Sequence, residues 1–586
     1  MNADRLLALY EKVAEAPDAV PRLYRFVLDL AVRGKLEPQD AGDEPASDLL
    51  QRIAAEKARL VKAGEIRKPR DLANGDELVP PFDIPATWRW CRLDTVGAII
   101  GGGTPSAGDP DNFAEPGEGI PWLTPADLGG YRELSIERGA RDLTEKGLAS
   151  SSATMMPAET VLFTSRAPIG YVAIAANPIS TNQGFKSIVP YVADCSRFIA
   201  LAMQTFAPEI DAKAPGTTFK EVSGKIVAGV PFPLPPLAEQ RRIVGKVEEL
   251  MALLDRLEAA RTARESTRDR LTAASLARLT APDTDPTEFP VNARFALATL
   301  PALTTRPDQI KPLRQTILNL AVRGELVEQD PTDEPADVTL ASISRNKETL
   351  IKAKKLKKSK AISNPISLRE EVELPAGWAW ASCDEIFFIT KLAGFEYTKY
   401  FDLKDQGEVP VIRAQNVRPW LVEARNLKFI PEKVSSELER SAITKPSLLV
   451  TFIGAGIGDV ALFEPDRRWH LAPNVAKAEL FEGCENKLSM RYLVLFFNSP
   501  FGRAEVFKHV KVAAQPSLSM GTIRDIDVII PPLAEQHRIV AKVDALMALC
   551  DRLEAALTTS DTTRARLLEA LLHEALEPGA GDREAA

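Results

Sequence analysis

The chain has 586 residues, 45% of them hydrophobic and 26% charged, and a formal net charge of −8. That length is too great for a single hydrophobic core, so several domains are expected, and the composition is that of an ordinary soluble globular protein, not a disordered or fibrous one. No run approaches the roughly eighteen apolar residues of a membrane span and the first residues do not form a signal peptide, so a cytoplasmic location is expected; a nucleic-acid surface on so acidic a chain has to be local.

Helical spacing of Leu23, Phe26, Val27 and Leu30 predicts a first helix, which Gly34 is placed to end, and Leu49, Ile53 and Leu60 mark a second. A basic run follows at Arg59, Lys62, Arg67, Lys68 and Arg70. The segment Ile84-Pro85-Ala86-Thr87-Trp88-Arg89-Trp90 then enters a stretch rich in Gly and Pro, with β-type runs at 161–164 and 171–174 and a helix around 197–206. It reads as a mixed α/β globule. Its exit is PPLAEQ, residues 235–240, where two prolines and an early Glu239 start a helix sharply. Along that helix Ile243, Val247, Leu250, Leu254 and Leu257 return every three or four residues, a narrow seam suited to pairing with another helix. Residues 281–300, with Pro282, Pro286 and Pro290, read as a connection.

The plan then repeats. LDLAVRGKLEPQD at 28–40 returns as LNLAVRGELVEQD at 318–330, the basic run as Lys354, Lys355, Lys357 and Lys358, and the Trp segment as Leu374-Pro375-Ala376-Gly377-Trp378-Ala379-Trp380. PPLAEQ returns at 531–536 with the seam Ile539, Val543, Leu546 and Leu553. Between these copies, 91–230 and 381–526 share very little, although the second stretch also has β-type runs, at 448–451 and 460–463. The order PPLAEQ helix, LAVRG helix, basic stretch in 235–370 also arises when 531–576 is joined to 1–75. The two termini are therefore expected to pack together and give a pseudo-two-fold internal repeat. A helix from Leu237 to about Ala263 would span about 40 Å, on the scale of one turn of B-DNA at about 34 Å.

Catalytic signals are weak. Four histidines all lie in the second half, whereas a duplicated enzyme would carry its base twice. Asn498-Ser499-Pro500-Phe501 only approaches the Asn-Pro-Pro-Phe tetrapeptide of adenine methyltransferases, no GxxxxGK[ST] occurs, and Asp111, Asp308 and Asp466 lack the partners of a metal-holding nuclease. Cys91, Cys195, Cys383, Cys484 and Cys550 form no CxxC pair, which suits a reducing compartment and argues against zinc. A chain with no cofactor or metal of its own is expected. For DNA contact, Ser165, Arg166, Asn182, Gln183 and Lys186 in the first globule and Arg413, Gln415, Asn416, Asn474 and Lys477 in the second have side chains suited to base edges or phosphates, in loop-rich stretches. The two basic runs suit phosphates.

Two unlike globules, each entered through Pro-Ala-x-Trp and left through PPLAEQ, resemble the DNA-specificity subunit of a type I restriction-modification system, over nearly the whole chain. Gly103-Thr104-Pro105 and Ile120-Pro121-Trp122 match that family's GxTP and IPW elements, while the second globule departs, with Val409-Pro410-Val411 and Arg413-Ala414-Gln415-Asn416 in place of the latter. The resemblance implies a mixed α+β fold: target-recognition domains at 76–234 and 371–530 separated by long antiparallel, coiled-coil-like helical spacers. These are 235–370 and 531–576, the latter joined to 1–75, with 577–586 a loose tail. It implies that each domain reads half of a split site in double-stranded DNA. The spacer seams would dock two methyltransferase subunits that bring S-adenosylmethionine, with restriction subunits that use ATP and Mg²⁺. Two other readings of the residues remain: a self-contained DNA adenine methyltransferase or nuclease, and a protein-binding scaffold that never touches DNA.

Overall fold

The computed structural model describes residues 15–66, 78–215, 220–280, 289–358, 372–454, 456–508, 510 and 517–576; the tail at 577–586 and Arg67, Lys68 and Arg70 of the first basic run lie outside these. The chain forms two compact units, one from Met1–Ala263 with Asp561–Ala586, the other Arg264–Ser560. Among the described residues no helix is long and apolar enough to cross a membrane.

In the first unit one sheet runs in the order Gly97–Gly101, Lys186–Pro190, Val161–Ser165, Ile169–Ala175, Ser135–Ile136. Val161–Ser165 is buried along its whole length, as its unbroken VLFTS run requires of a strand covered on both faces. A second sheet has Ile120–Leu123 between antiparallel Arg141–Leu143 and parallel Ser180–Thr181. Arg89–Arg92 pairs with Pro231–Leu234, so the globule's entry and exit lie side by side.

The second unit repeats this plan with different residues. Its first sheet runs Phe387–Lys391, Val475–Leu480, Ser447–Thr451, Val460–Phe463. Its second places Val409–Ile412 between antiparallel Lys428–Ile430 and parallel Trp469–Leu471, and Ala379–Ser382 pairs with Asp527–Ile530. Val409–Ile412 thus stands where Ile120–Leu123 stands in the first unit. The register also makes positions equivalent: Gly101 pairs with Lys186 and Lys391 with Ala476 at matching strand ends.

The repeated sequences meet in one joint per unit. Gly34 and Gly324 end their helices at φ +66 and +78, and a Cβ on either would stand 2.5 or 2.6 Å from Cγ of Pro85 or Pro375. Only glycine satisfies both the left-handed backbone and the contact. The Trp378 indole N–H donates to Glu535 Oε2 at 3.0 Å; in the first unit Glu239 accepts from Gln39 Nε2 at 3.1 Å with the Trp88 indole beside it. Burial raises both carboxyls above the usual range, while these donors and Arg242 or Arg538 oppose it. Arg242 pairs with Asp43 at 2.6 Å and Arg538 with Asp333 at 2.8 Å. LAVRG, DEPA, Pro-Ala-x-Trp and PPLAEQ recur together because each supplies one piece of this joint: the glycine, the acid that holds the arginine, the proline and indole that cover the glycine, and the buried glutamate with its arginine.

The PPLAEQ helices, Leu237–Thr280 and Leu533–Leu576, are 44 residues each, about 66 Å at 1.5 Å per residue. Residues 264–280 extend the first beyond the expected end because they contain neither Gly nor Pro. Most of the seam is not left open for a partner. Ile243 and Val247 are buried in the first unit's own core with Trp88, Phe198 and Phe232, and Leu250 and Leu254 pack against it. Ile539 and Val543 are buried likewise in the second, with Leu546 packed alongside; Leu257 is half-buried and Leu553 exposed.

At their far ends the long helices meet the LAVRG helices. In the first unit Leu568, Leu571 and Leu572 bury Ala16, Ala19 and Phe26, Arg22 pairs with Glu569 at 3.1 Å, and Lys35 donates to the Leu576 carbonyl at 2.8 Å. In the second, Leu276 and Leu279 pack with Ala296, Leu313 and Leu320, and Arg306 pairs with Asp269 at 2.8 Å. The predicted connection at 281–300 is corrected in part: Phe289–Leu303 is a helix, since a proline at its second residue needs no intrahelical donor there and Phe289, Ala293, Ala296 and Leu300 form its packed face.

Candidate nucleic-acid interface

In the first unit three segments converge where strand Val161–Ser165 ends. Ser165 N–H donates to the Gly184 carbonyl at 2.7 Å, tying the strand end to the 182–186 loop. The turn after it is closed by Thr164, whose hydroxyl donates to the Pro168 carbonyl and accepts from Tyr171 N–H, both at 2.8 Å. Gly103 N–H donates to the Thr181 carbonyl at 2.9 Å, and a Cβ on Gly102 would meet the Asn182 carbonyl at 2.1 Å. The Gly-Thr-Pro segment therefore lies directly on the loop, and the Thr104 hydroxyl meets the Gln183 amide.

Arg166, Gln183, Lys186 and Thr104 thus share one edge. Arg166 and Lys186 both face Glu221 at 3.6 Å, a spacing at which a phosphate competes with the carboxylate for two cations. Gln183 is exposed and carries the amide that reads adenine bidentately, as a guanidinium reads guanine. The other two candidates serve the backbone. Asn182 accepts from Gly184 N–H at 2.8 Å and fixes the turn, and Ser165 is fully buried, so its hydroxyl does not reach a ligand.

In the second unit Phe452 N–H donates to the Asn474 carbonyl at 3.1 Å, the same closure that Ser165 and Gly184 make. Asn474 and Gln415 are exposed at this edge. Lys477 is not. It is buried, its ammonium on Glu479 at 2.7 Å and on the Ala442 carbonyl, at the strand position that Ser187 holds in the first unit. Asn416 is buried too: its amide donates to the Glu423 and Arg425 carbonyls, each at 2.9 Å, and accepts Arg413 N–H at 3.1 Å. Asp127 accepts Thr124 N–H at 2.7 Å at the matching turn of the first unit. The Arg413 guanidinium caps the Asn426 carbonyl. These two residues hold a hairpin that the sequence reading missed, although Arg418-Pro419-Trp420 marks its turn.

Lys354, Lys355, Lys357 and Lys358 are exposed, Lys355 pairing with Glu482 at 3.0 Å. Trp122 and Trp469 are core residues whose indoles donate to the Gly103 carbonyl and to Asp466. Asn498 spends its amide donors on the Val460 and Val494 carbonyls, each at 2.9 Å, inside the fold. All five cysteines are buried and unpaired, and no group of three or more His, Cys, Asp or Glu suited to a metal occurs among the described residues.

The family described as Type I restriction modification DNA specificity domain matches residues 85–264 and 375–560. The Type I restriction enzyme EcoAI specificity subunit of Escherichia coli is 28% identical over 581 residues, covering 95% of this chain and 94% of that protein. The EcoEI specificity subunit of Escherichia coli is 29% identical over 588 residues, with 95% and 94% covered. A crystal structure of the HsdS subunit from Thermoanaerobacter tengcongensis aligns with a TM-score of 0.39 at 18% identity over 85% of this chain and 98% of that one.

Proposed function

The chain belongs to the type I restriction-modification DNA-specificity family and is a DNA-sequence-specificity subunit; from that premise we propose that its two globules read the two unlike halves of a split, asymmetric site in double-stranded DNA. The observation that carries this reading is the pairing of one sheet plan with two different polar edges. Arg166, Gln183 and Lys186 in the first unit answer to Gln415 and Asn474 in the second. Equal scaffolds with unequal donors and acceptors select different bases.

Catalysis belongs to the partners. Two methyltransferase subunits would bring S-adenosylmethionine and the pocket for the flipped base, and restriction subunits ATP and Mg²⁺. The enclosed amide of Asn498 supports a chain without a base pocket of its own. Since each unit's core fills most of the expected docking seam, the partner surface moves to the flank of that stripe, where Leu253 and Leu549 stand at equivalent positions, 44% and 51% exposed. Two equal patches fit two identical partners.

The unread gap is set by the long helices. Four residues inserted after exposed Ala259 add roughly 6 Å, one to two base-pair rises of 3.4 Å. Methylation mapping is expected to show a longer gap between unchanged half-sites; altered half-sites would reject the helix as the ruler.

A further inference from the structure

We propose that the hairpin Val417–Val422 is an apolar wedge whose Trp420 stacks on bases of the second half-site, a contact that rests on the DNA-reading role above. Two short strands pair Val417 with Val422 and Arg418 with Leu421, leaving Pro419 and Trp420 as the turn. Trp420 has φ +76. A two-residue turn with proline first and a positive φ second is a type II geometry, which selects Gly or Asn at the second place. Folding alone favours a small residue there, and a bulky one is an outlier that points to use.

The hairpin's base is fixed, and the side chains at its tip are partly exposed. Val417 is fully buried in a cluster with Ile412, Leu449 and Trp469, and Val422 packs against it. Asn416 ties down the return strand through the Glu423 and Arg425 carbonyls, and Glu423 N–H donates back to the Asn416 carbonyl at 2.7 Å. Trp420 is nevertheless 42% exposed and Leu421 49%. Its backbone N–H reaches the Val460 carbonyl at 3.1 Å, at the start of strand Val460–Phe463, which pairs with the Ser447–Thr451 strand that ends at the reading edge. Arg418, which enters the turn, and Arg425, which follows the return strand, are both exposed; Arg418 neighbours Asp459, a carboxylate that Arg503 also meets at 3.5 Å. An exposed ring on a turn that Arg418 enters, with exposed Arg425 a few residues on, matches a DNA duplex: cations for the phosphates and an apolar wedge for a base step. In the first unit the matching turn leads to no such hairpin, so the wedge acts on one half-site only.

The test uses the full chain and a duplex carrying the site found by methylation mapping, with 2-aminopurine placed in turn through the second half. Trp420→Gly removes the ring and suits the backbone, Trp420→Ala removes it without that relief, and Trp420→Phe keeps an aromatic face. Binding is expected to weaken roughly tenfold to a hundredfold with Gly and with Ala and to persist with Phe, as stacking on a base requires. The wild-type chain is expected to change 2-aminopurine fluorescence at one step of the second half, and Trp420→Gly to abolish that change. Unaltered affinity and fluorescence in Trp420→Gly would overturn the wedge while leaving the DNA-reading role intact; failure of the wild-type chain to bind the mapped duplex would instead remove that role. Loss of methyltransferase assembly with DNA affinity unchanged would show a protein contact and would also overturn the wedge.

Discussion

Replacing Gly34 with alanine probes the joint that the repeated motifs build, and Gly64 supplies the control. At Gly34 the backbone has φ +66, and a new Cβ would lie 2.5 Å from Pro85 Cγ, 2.7 Å from Pro85 Cδ and 3.1 Å from Trp88 Cζ2. A proline ring and a fully buried indole have no free end to swing away. At Gly64, which ends the helix Ala46–Ala63, φ is +71 but a Cβ meets nothing within 4 Å. Both variants bear the left-handed backbone cost of about 1–2 kcal/mol, and both regain about 0.4–1 kcal/mol from a less free unfolded chain. Only Gly34→Ala adds the steric term of about 1–3 kcal/mol. The difference between them therefore isolates the contact with Pro85 and Trp88. Because a chain with two units need not unfold in one step, the assay is amide exchange resolved to peptides of the first unit's core, around 161–165 and 198–203. Protection there is expected to fall further in Gly34→Ala by roughly five- to a hundredfold at those peptides, at about 1.4 kcal/mol per tenfold. Equal loss in both variants would refute the joint as the reason glycine is required.

Burial depresses the imidazole of His470 below its ordinary 6.5, with Arg468 and Lys477 acting the same way and the Leu471 and Leu438 carbonyls opposing. The neutral ring is thus the folded form, and its contribution is complete above about pH 6.5 and lost as pH falls below it, at up to about 1.4 kcal/mol per pH unit. Urea denaturation of wild type and His470→Phe from about pH 7.5 down to about pH 5 checks this: the variant's second unit should lose less stability, and parallel curves would exclude His470 as the cause. Arg166→Ala and Gln183→Ala should each weaken cognate binding by about 1–3 kcal/mol and relax selectivity only in the first half of the site, read by competition with duplexes altered base by base. Uniform weakening across both halves would reduce them to phosphate contacts.

The joint was legible in the sequence because the same residues meet there twice: Gly34 with Pro85 and Trp88, Gly324 with Pro375 and Trp378. The shared plan of the two globules was not, since a strand is specified by its apolar pattern and not by its residues. Ile120-Pro121-Trp122 and Val409-Pro410-Val411 fill one strand position with side chains of very different volume. Periodicity found the stripe Ile243, Val247 and Leu250 correctly but carries no label saying whether a partner or the chain's own globule covers it. Lys477 read as a surface cation, and its one clue was Glu479, two residues on and on the same strand face. Asn416 read as a base reader because an exposed amide and one that clamps a turn look alike until the Glu423 and Arg425 carbonyls are placed. Pro419 marks a turn, but the sequence carries no sign that Trp420 is held at positive φ with its ring exposed at the tip.

Two independent readers within one chain are tested most directly by methylation mapping of a genome carrying this system with residues 381–526 exchanged for another such globule. The expected result is a split site in which one half changes while the other half and the gap persist. A continuous site, or a change in both halves, would contradict it.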